Sequence, residues 1–178
     1  MSSPETVRLS RRALAGGLAL AAALLLSGCI QPLYKPLPSG LNVADEMRAI
    51  KVEPVKDRFG HYLVNELIFG LNGTGSEVEP RYRLVMTFTQ SQQTPILDTV
   101  TGRADAATVF ASVNYSLLTV GKDAKVTVQG TAVASANYDR SAQRFANIRA
   151  ARDAEIRLAK VLADQIKTRL AASLVTGL

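Results

Sequence analysis

The chain has 178 residues and a formal net charge of +6; 47% of its residues are hydrophobic and 20% are charged. This composition is typical of a globular protein and excludes a disordered or fibrous chain. One cysteine and one histidine cannot form an internal disulfide or supply a zinc-type ligand set. The chain has no long run of basic residues, which disfavours nucleic acid as a partner.

The first 28 residues have the layout of a secretory signal peptide. Arg8, Arg11 and Arg12 precede an apolar run of 14 residues, which is shorter than the ~20 that a membrane-spanning helix needs. The run leads into Leu26-Ser27-Gly28-Cys29, which resembles a bacterial lipobox. Such a motif predicts cleavage between Gly28 and Cys29 and attachment of a diacylglycerol to the Cys29 sulfur.

Lipidation also accounts for an unpaired thiol in an exported protein. Because each buried methylene contributes ~0.8 kcal/mol, two or three acyl chains, palmitate among them, hold a protein durably to a membrane. The alternatives are an uncleaved anchor helix and a secreted protein with one stray cysteine. Arg11-Arg12 hints at twin-arginine export, although the general secretory route fits the residues better. Apart from the lipid on Cys29, the sequence predicts no cofactor.

Removal of the leader leaves 150 residues with 18 basic and 14 acidic side chains, a net charge of +4. This length suits one domain with its own core. Residues 29–48 contain Pro32, Pro36 and Pro38, and we expect them to form an extended spacer behind the lipidated cysteine. We expect residues 49–178 to form a single domain.

Hydrophobic periodicity first predicts a strand and a helix in this domain. Residues 49–53 alternate between apolar and polar side chains and end at Pro54, as a short strand does. Residues 57–71 carry an apolar residue at every fourth position, which predicts an amphipathic helix capped by Asp57. Those apolar residues are Phe59, Leu63, Leu67 and Leu71.

Three strands and a long helix follow. Residues 81–90, 106–120 and 125–135 show the period-two alternation of a half-buried antiparallel sheet, and a hairpin joins the last two. Residues 91–103, interrupted by Pro95, are predicted to be an exposed connection. Residues 143–173 form an amphipathic helix, and its apolar stripe includes Leu158, Val161, Leu162 and Ile166.

These elements predict an α+β fold in the order β-α-β-β-β-α. Each helix has one apolar stripe and each strand has one apolar face. The arrangement that buries them all is a two-layer sandwich, in which two helices pack on one face of a four-stranded, mostly antiparallel sheet.

The sequence carries no recognisable catalytic motif, and we predict that the protein is not an enzyme. His61 falls within the first helix pattern and is expected to be a partly exposed helix residue. Gly73-Thr74-Gly75 lacks the lysine and hydroxyl residue of a phosphate loop and is better interpreted as a turn. Glu77 and Glu79 flank a loop, where solvated acids are commoner than a glycosidase pair.

Basic residues scattered around the sheet are the remaining candidates for a binding site: Lys51, Arg81, Arg83, Arg103, Lys122 and Lys125. If Arg81, Arg83 and Lys125 share the open side of the sheet or its rim, they could bind the phosphates of an anionic glycolipid. The alternative is that these residues only keep a polar sheet face soluble. The Thr, Ser and Asn residues of the outer faces suit the wet wall of a partner as well as they suit solvent.

Several segments in order resemble the lipopolysaccharide-assembly lipoprotein family LptE in its short alphaproteobacterial form. The matching segments span most of the mature chain: Gly28-Cys29-Ile30-Gln31-Pro32-Leu33-Tyr34, Arg81-Tyr82-Arg83-Leu84, Tyr138 with Ser141 and Phe145-Ala146, Ala151-Arg152-Asp153-Ala154-Glu155, and Leu162-Ala163-Asp164-Gln165-Ile166-Lys167-Thr168-Arg169-Leu170. The combination carries the resemblance, since no single segment is diagnostic.

The resemblance implies an outer-membrane lipoprotein that plugs the barrel of the translocon protein LptD, assists its assembly and helps deliver lipopolysaccharide to the outer leaflet. It implies the same two-helix, four-strand fold and contacts between basic residues and lipopolysaccharide. Ile30 and Gln31, in place of aspartate after the cysteine, agree with outer-membrane sorting. Rival interpretations are an auxiliary lipoprotein of a lipid-transport ABC system and, less favoured, an envelope hydrolase.

Overall fold

The fold is an open four-stranded sheet with helices on one of its faces. The computed structural model describes residues 40, 42–73, 78–94, 105–121 and 123–176, which belong to one unit, Pro36–Leu178. Gly28, Cys29 and the proline-rich segment lie outside the described residues, as do Arg103 and Lys122.

Seven elements follow one another along the chain, and the strands lie in the sheet in sequence order, β1-β2-β3-β4. β1 is parallel to β2, and the other neighbours are antiparallel. This confirms the predicted α+β fold and its mostly antiparallel sheet. The elements are α1 (Val43–Arg48), β1 (Ile50–Val52), α2 (Arg58–Asn72), β2 (Tyr82–Gln93), β3 (Ala106–Thr119), β4 (Val126–Asp139) and α3 (Arg144–Thr176).

Local sequence determines where α2 begins and which side of it is buried. The Asp57 carboxylate accepts a hydrogen bond from the backbone N–H of Phe59 (2.9 Å), as expected of a helix N-cap. The residues spaced four apart, Phe59, Leu63, Leu67 and Leu71, are all buried. On the strands, alternate residues such as Leu84 and Val113 are buried beneath the helices, as the period-two pattern predicts.

The structure places one helix more than the sequence analysis predicts. α1 lies inside residues 29–48, which were assigned to the spacer, yet its Val43 and Met47 are buried in the core. The Asn42 side chain accepts a hydrogen bond from the N–H of Ala44 and caps this helix. Six residues are too few to show a helical period, so tertiary packing determines the helix.

Two strands are longer than predicted, and one helix residue points outward. β2 continues through Ser91 to Gln93, and β4 continues to Asp139, because both strands find register partners along β3. Residues 95–103 of the predicted connection lie outside the described part of the chain. Val161, assigned to the apolar stripe of α3, is 47% exposed, whereas the adjacent Leu162 is fully buried.

α3 protects the outer edge of β4. An edge strand presents backbone groups that would otherwise recruit other strands. Three α3 side chains donate hydrogen bonds to β4 carbonyl groups: Arg157 to Asn137 (2.9 Å), Gln165 to Val133 (3.4 Å) and Arg169 to Thr131. These donors recur at spacings of eight and four residues, so one side of the helix follows the strand edge.

A buried carboxylate joins α2, α3 and β2. Glu155 of α3 accepts two hydrogen bonds from the Arg58 guanidinium, from Nε to Oε2 (3.1 Å) and from Nη2 to Oε1 (2.9 Å). Gln90 of β2 donates a third to Oε1 (3.3 Å). This hydrogen bonding and the charge of Glu155 raise the pKa of Arg58 above its ordinary value. The hydrogen-bonding capacity of the Glu155 carboxylate is therefore met mainly by a bidentate, charge-assisted pair with Arg58.

The orientation of α3 predicts that substitutions of the adjacent residues Leu162 and Val161 change the stability of the protein by very different amounts. Leu162→Ala is expected to lower the free energy of unfolding by about 2–5 kcal/mol, because it leaves a cavity in the core. Val161→Ala serves as the matched control and is expected to change it by less than ~0.5 kcal/mol. Urea unfolding of both variants measures this, and equal losses would contradict the packing of α3.

The Glu155 cluster predicts a cost that a second substitution relieves. Arg58→Met leaves a buried carboxylate without its cation and is expected to cost about 1–3 kcal/mol of unfolding free energy. The double variant Arg58→Met/Glu155→Met should recover most of this loss, since no buried charge remains. Arg48→Met, which breaks the exposed pair with Asp45, is the control and should cost less than ~1 kcal/mol. A double variant no more stable than Arg58→Met would argue against the ion pair as the cause.

Candidate functional site

One face of the sheet is left open by the helices. Its central residues are short and uncharged: Thr87, Thr89, Ser112, Asn114, Ser116, Gln129, Thr131 and Ser135. Thr131 donates a hydrogen bond across the strands to the Asn114 Oδ1 (2.7 Å). Phe110 and Val133 interrupt this polar surface and line a shallow depression of about 180 Å³. The face therefore combines many hydrogen-bonding groups with a small apolar centre.

A wider cleft of about 430 Å³ lies at one end of the sheet. Lys51 of β1 and Arg83 of β2 are register partners, and both line it. Because their chain neighbours Val52 and Leu84 are buried beneath the helices, alternation places Lys51 and Arg83 on the open face. Thr119, Gly121 and Ala124 of the β3–β4 turn close the far side of the cleft.

The positions of Lys51 and Arg83 favour the binding of an anion more than the stability of the fold. Like charges on neighbouring strands destabilise a sheet, and neither Lys51 nor Arg83 forms an ion pair with any described residue. Glu53 and Glu79 also line the cleft, so its charge is mixed overall. A bound anion would have to lie against the Lys51–Arg83 pair, away from these carboxylates.

All three predicted contact residues lie at this end of the sheet, but only Arg83 lines the cleft. The carbonyl of Lys125 accepts a hydrogen bond from the N–H of Thr119 (3.0 Å), and the N–H of Lys125 donates to the Thr119 hydroxyl (3.0 Å). Lys125 is exposed and directly precedes Val126. Val126 pairs with Leu118 of β3, and Leu118 pairs with Arg83 of β2. Because neighbouring strands lie ~4.8 Å apart, the backbones of Val126 and Arg83 are separated by roughly 10 Å.

Arg81 has a different role from Arg83. Its guanidinium forms an ion pair with the buried carboxylate of Glu46 (2.7 Å), which ties α1 to the start of β2. The next residue, Tyr82, lies near the same carboxylate. Burial, reinforced by the charge of Glu46, raises the pKa of Tyr82 above its ordinary value of 10.0. Arg81 thus has a structural partner, and it does not line the cleft.

The described residues contain no group of three or more His, Cys, Asp or Glu side chains that could hold a metal ion. His61 is an exposed residue of α2, in agreement with its sequence interpretation. Among the helices of the described ranges, none is both long and apolar enough to cross a membrane. The polar groups that line the cleft are two cations, two carboxylates, a hydroxyl and backbone groups.

The elements define a small two-layer α+β domain with one open sheet face. The family model for lipopolysaccharide-assembly LptE proteins matches residues 47–170, which is more than half of the chain. The chain therefore belongs to the LptE family and to the lipoproteins of lipopolysaccharide assembly.

Two solved structures share this fold. One is a candidate lipoprotein from Caulobacter crescentus CB15, with 24% identity and a TM-score of 0.61; the match covers 76% of this chain and 97% of the other. The other is the rare lipoprotein B from Shewanella oneidensis, with 14% identity and a TM-score of 0.52; it covers 71% and 95%, respectively. At these identities the likeness concerns the fold alone. No functionally curated protein gives a significant match.

Of the three predicted contact residues, only Arg83 lines the cleft. The strand pattern around Arg81 does not reveal that its side chain pairs with Glu46. Lys51 is predicted only as one of several scattered basic residues. The parallel pairing of β1 with β2 places Lys51 beside Arg83, and a parallel register cannot be seen in a single strand pattern.

The raised pKa of Tyr82 predicts a stability change at high pH. The folded protein holds the phenol proton more tightly than the unfolded chain, so stability falls as pH rises above about 10. Tyr82→Phe is expected to flatten this fall. Unfolding free energies of both proteins at about pH 9 and about pH 11 test it. Identical losses in the two proteins would show that Tyr82 does not contribute.

Proposed function

We propose that the protein is a non-enzymatic subunit of the lipopolysaccharide translocon, anchored in the outer membrane through a lipid on Cys29. Its partner is an LptD-like β-barrel, which it plugs and helps to assemble. Membership of the LptE family supports the general role. The lipobox Leu26-Ser27-Gly28-Cys29 supports the anchor.

The open sheet face is the observation on which this proposal depends most. The lumen of an outer-membrane barrel is polar, so a plug needs a surface that can form hydrogen bonds to a wet wall. The Thr, Ser, Asn and Gln residues at the centre of the open face provide one. Phe110 and Val133 would add an apolar contact at its centre, where interface energy concentrates.

The cleft at the end of the sheet is the proposed contact for lipopolysaccharide. Lys51, Arg83 and Lys125 lie at the same end of the domain and are free to pair with phosphate groups. Thr119 would contribute a hydroxyl beside them. Arg81 is left out of the proposed contact set, because Glu46 already holds it.

Co-purification tests the partner. The native lipoprotein, tagged at its C-terminus, is extracted in detergent and its partners are identified by mass spectrometry, with Cys29→Ala as the control for anchoring. We expect an outer-membrane barrel at near one-to-one stoichiometry. Recovery of an inner-membrane permease, or of no membrane protein, would contradict the proposal.

Substitutions in the cleft test the lipopolysaccharide contact. Lys51→Gln/Arg83→Gln is expected to weaken binding of lipopolysaccharide about tenfold, or ~1.4 kcal/mol. Lys56→Gln/Lys160→Gln removes the same charge from exposed positions outside the cleft and should leave binding nearly unchanged. Equal losses in the two double variants would show that only net charge matters.

A further inference from the structure

α3 begins well before the rest of the domain covers it. Its first buried residue is Ala154, so residues 144–153, which we call the α3 arm, are never fully covered. Arg58, the first residue of α2, contacts Glu155, which places the start of α2 beside the end of the arm. At 1.5 Å per residue, the arm is roughly 15 Å long.

The α3 arm is held in place although it is exposed. The Asn147 side chain accepts a hydrogen bond from the N–H of Ser141 (2.7 Å) and donates one to its carbonyl (2.9 Å). At the other end, Arg152 Nε donates to the Tyr62 hydroxyl (2.7 Å), and its guanidinium lies 6.0 Å from the Tyr62 ring centre. The arm therefore presents a fixed surface.

That surface is both apolar and strongly basic. Phe145 is 73% exposed and Ile148 is 59% exposed, and their spacing of three residues places them on the same side of the helix. Arg149 and Arg152 fall on the same side, and Arg144 precedes them. The single acid of the arm, Asp153, is already paired with Arg157 (2.8 Å).

Exposed aromatic and aliphatic side chains among arginines are typical of helices that lie in a membrane interface. Apolar side chains enter below the headgroups, and guanidinium groups pair with lipid phosphates. We propose that the α3 arm binds the surface of an anionic phospholipid bilayer. Phe145 and Ile148 insert among the headgroups, while Arg144 and Arg149 contact the phosphates; Arg152 stays on Tyr62 and holds the arm.

This surface is separate from the cleft at the end of the sheet. The arm lies beside the end of β4, where Asp139 pairs with Ala106 at the start of β3. The cleft lies at the other end of these strands, beside Thr119. Phe69 of α2 is also strongly exposed, but the last turn of α2 carries no basic residue. The arm differs from that surface because it combines an exposed phenylalanine with arginines.

Vesicle flotation tests the proposal. The protein is the chain from residue 29 onward with Cys29→Ser, so that no acyl chain contributes. We expect it to float with vesicles of phosphatidylcholine and phosphatidylglycerol, and much less with phosphatidylcholine alone. Phe145→Ser/Ile148→Ser is expected to reduce binding about tenfold, and Arg144→Gln/Arg149→Gln to remove the preference for anionic lipid.

Phe69→Ser is the matched control, since it removes an equally exposed phenylalanine (67%) outside the arm. It should bind like the parent, and unfolding curves should show that all variants are folded. Equal binding to neutral vesicles, or full binding by the Phe145→Ser/Ile148→Ser variant, would overturn the proposal. So would an arm-dependent dimer without vesicle binding, which would make a second copy the occupant. No barrel or lipopolysaccharide is present, so the outcome is independent of the translocon proposal.

Discussion

The pairing of Glu155 with Arg58 is the constraint around which the domain is arranged. It fixes where α2 begins beside α3, and Gln90 extends the same contact to β2. A carboxylate that is only 9% exposed needs these donors, because a buried charge without partners is costly. On one side of Glu155, α3 packs into the core; on the other, the α3 arm is exposed. The Arg58–Glu155 ion pair therefore marks the point on α3 where the buried part of the helix meets the exposed α3 arm.

Covering one face of the sheet has consequences for the β4 edge and for the other face. α3 uses Arg157, Gln165 and Arg169 to satisfy the outer edge of β4, so β4 is protected from pairing with other strands. The helices leave a face whose centre is polar and whose end carries Lys51 and Arg83. Membership of the LptE family places the chain in lipopolysaccharide assembly.

Most of the fold could be predicted from the sequence, because local periodicity and burial agree along the strands and α2. The predictions were wrong where tertiary packing decides the outcome. α1 is too short to show a period, and the outward position of Val161 depends on how α3 sits over β4. Within the site, alternation identified Arg83, but only the parallel register brings Lys51 beside it. The exposure of the α3 arm could not be predicted, because its helical pattern continues without a break into the buried part of α3. Only the contact between Arg58 of α2 and Glu155 shows where the domain begins to cover α3.

If the protein plugs a barrel as we propose, its open sheet face meets the wall of an outer-membrane barrel. The most direct measurement is crosslinking in cells, with a photoreactive amino acid in place of Phe110 at the centre of that face, and in place of Phe69 on α2 as the exposed control. We expect a strong crosslink from position 110 to a barrel protein and a weak one or none from position 69. Crosslinking from position 69 alone would show that the helical side, and not the open sheet face, meets the partner.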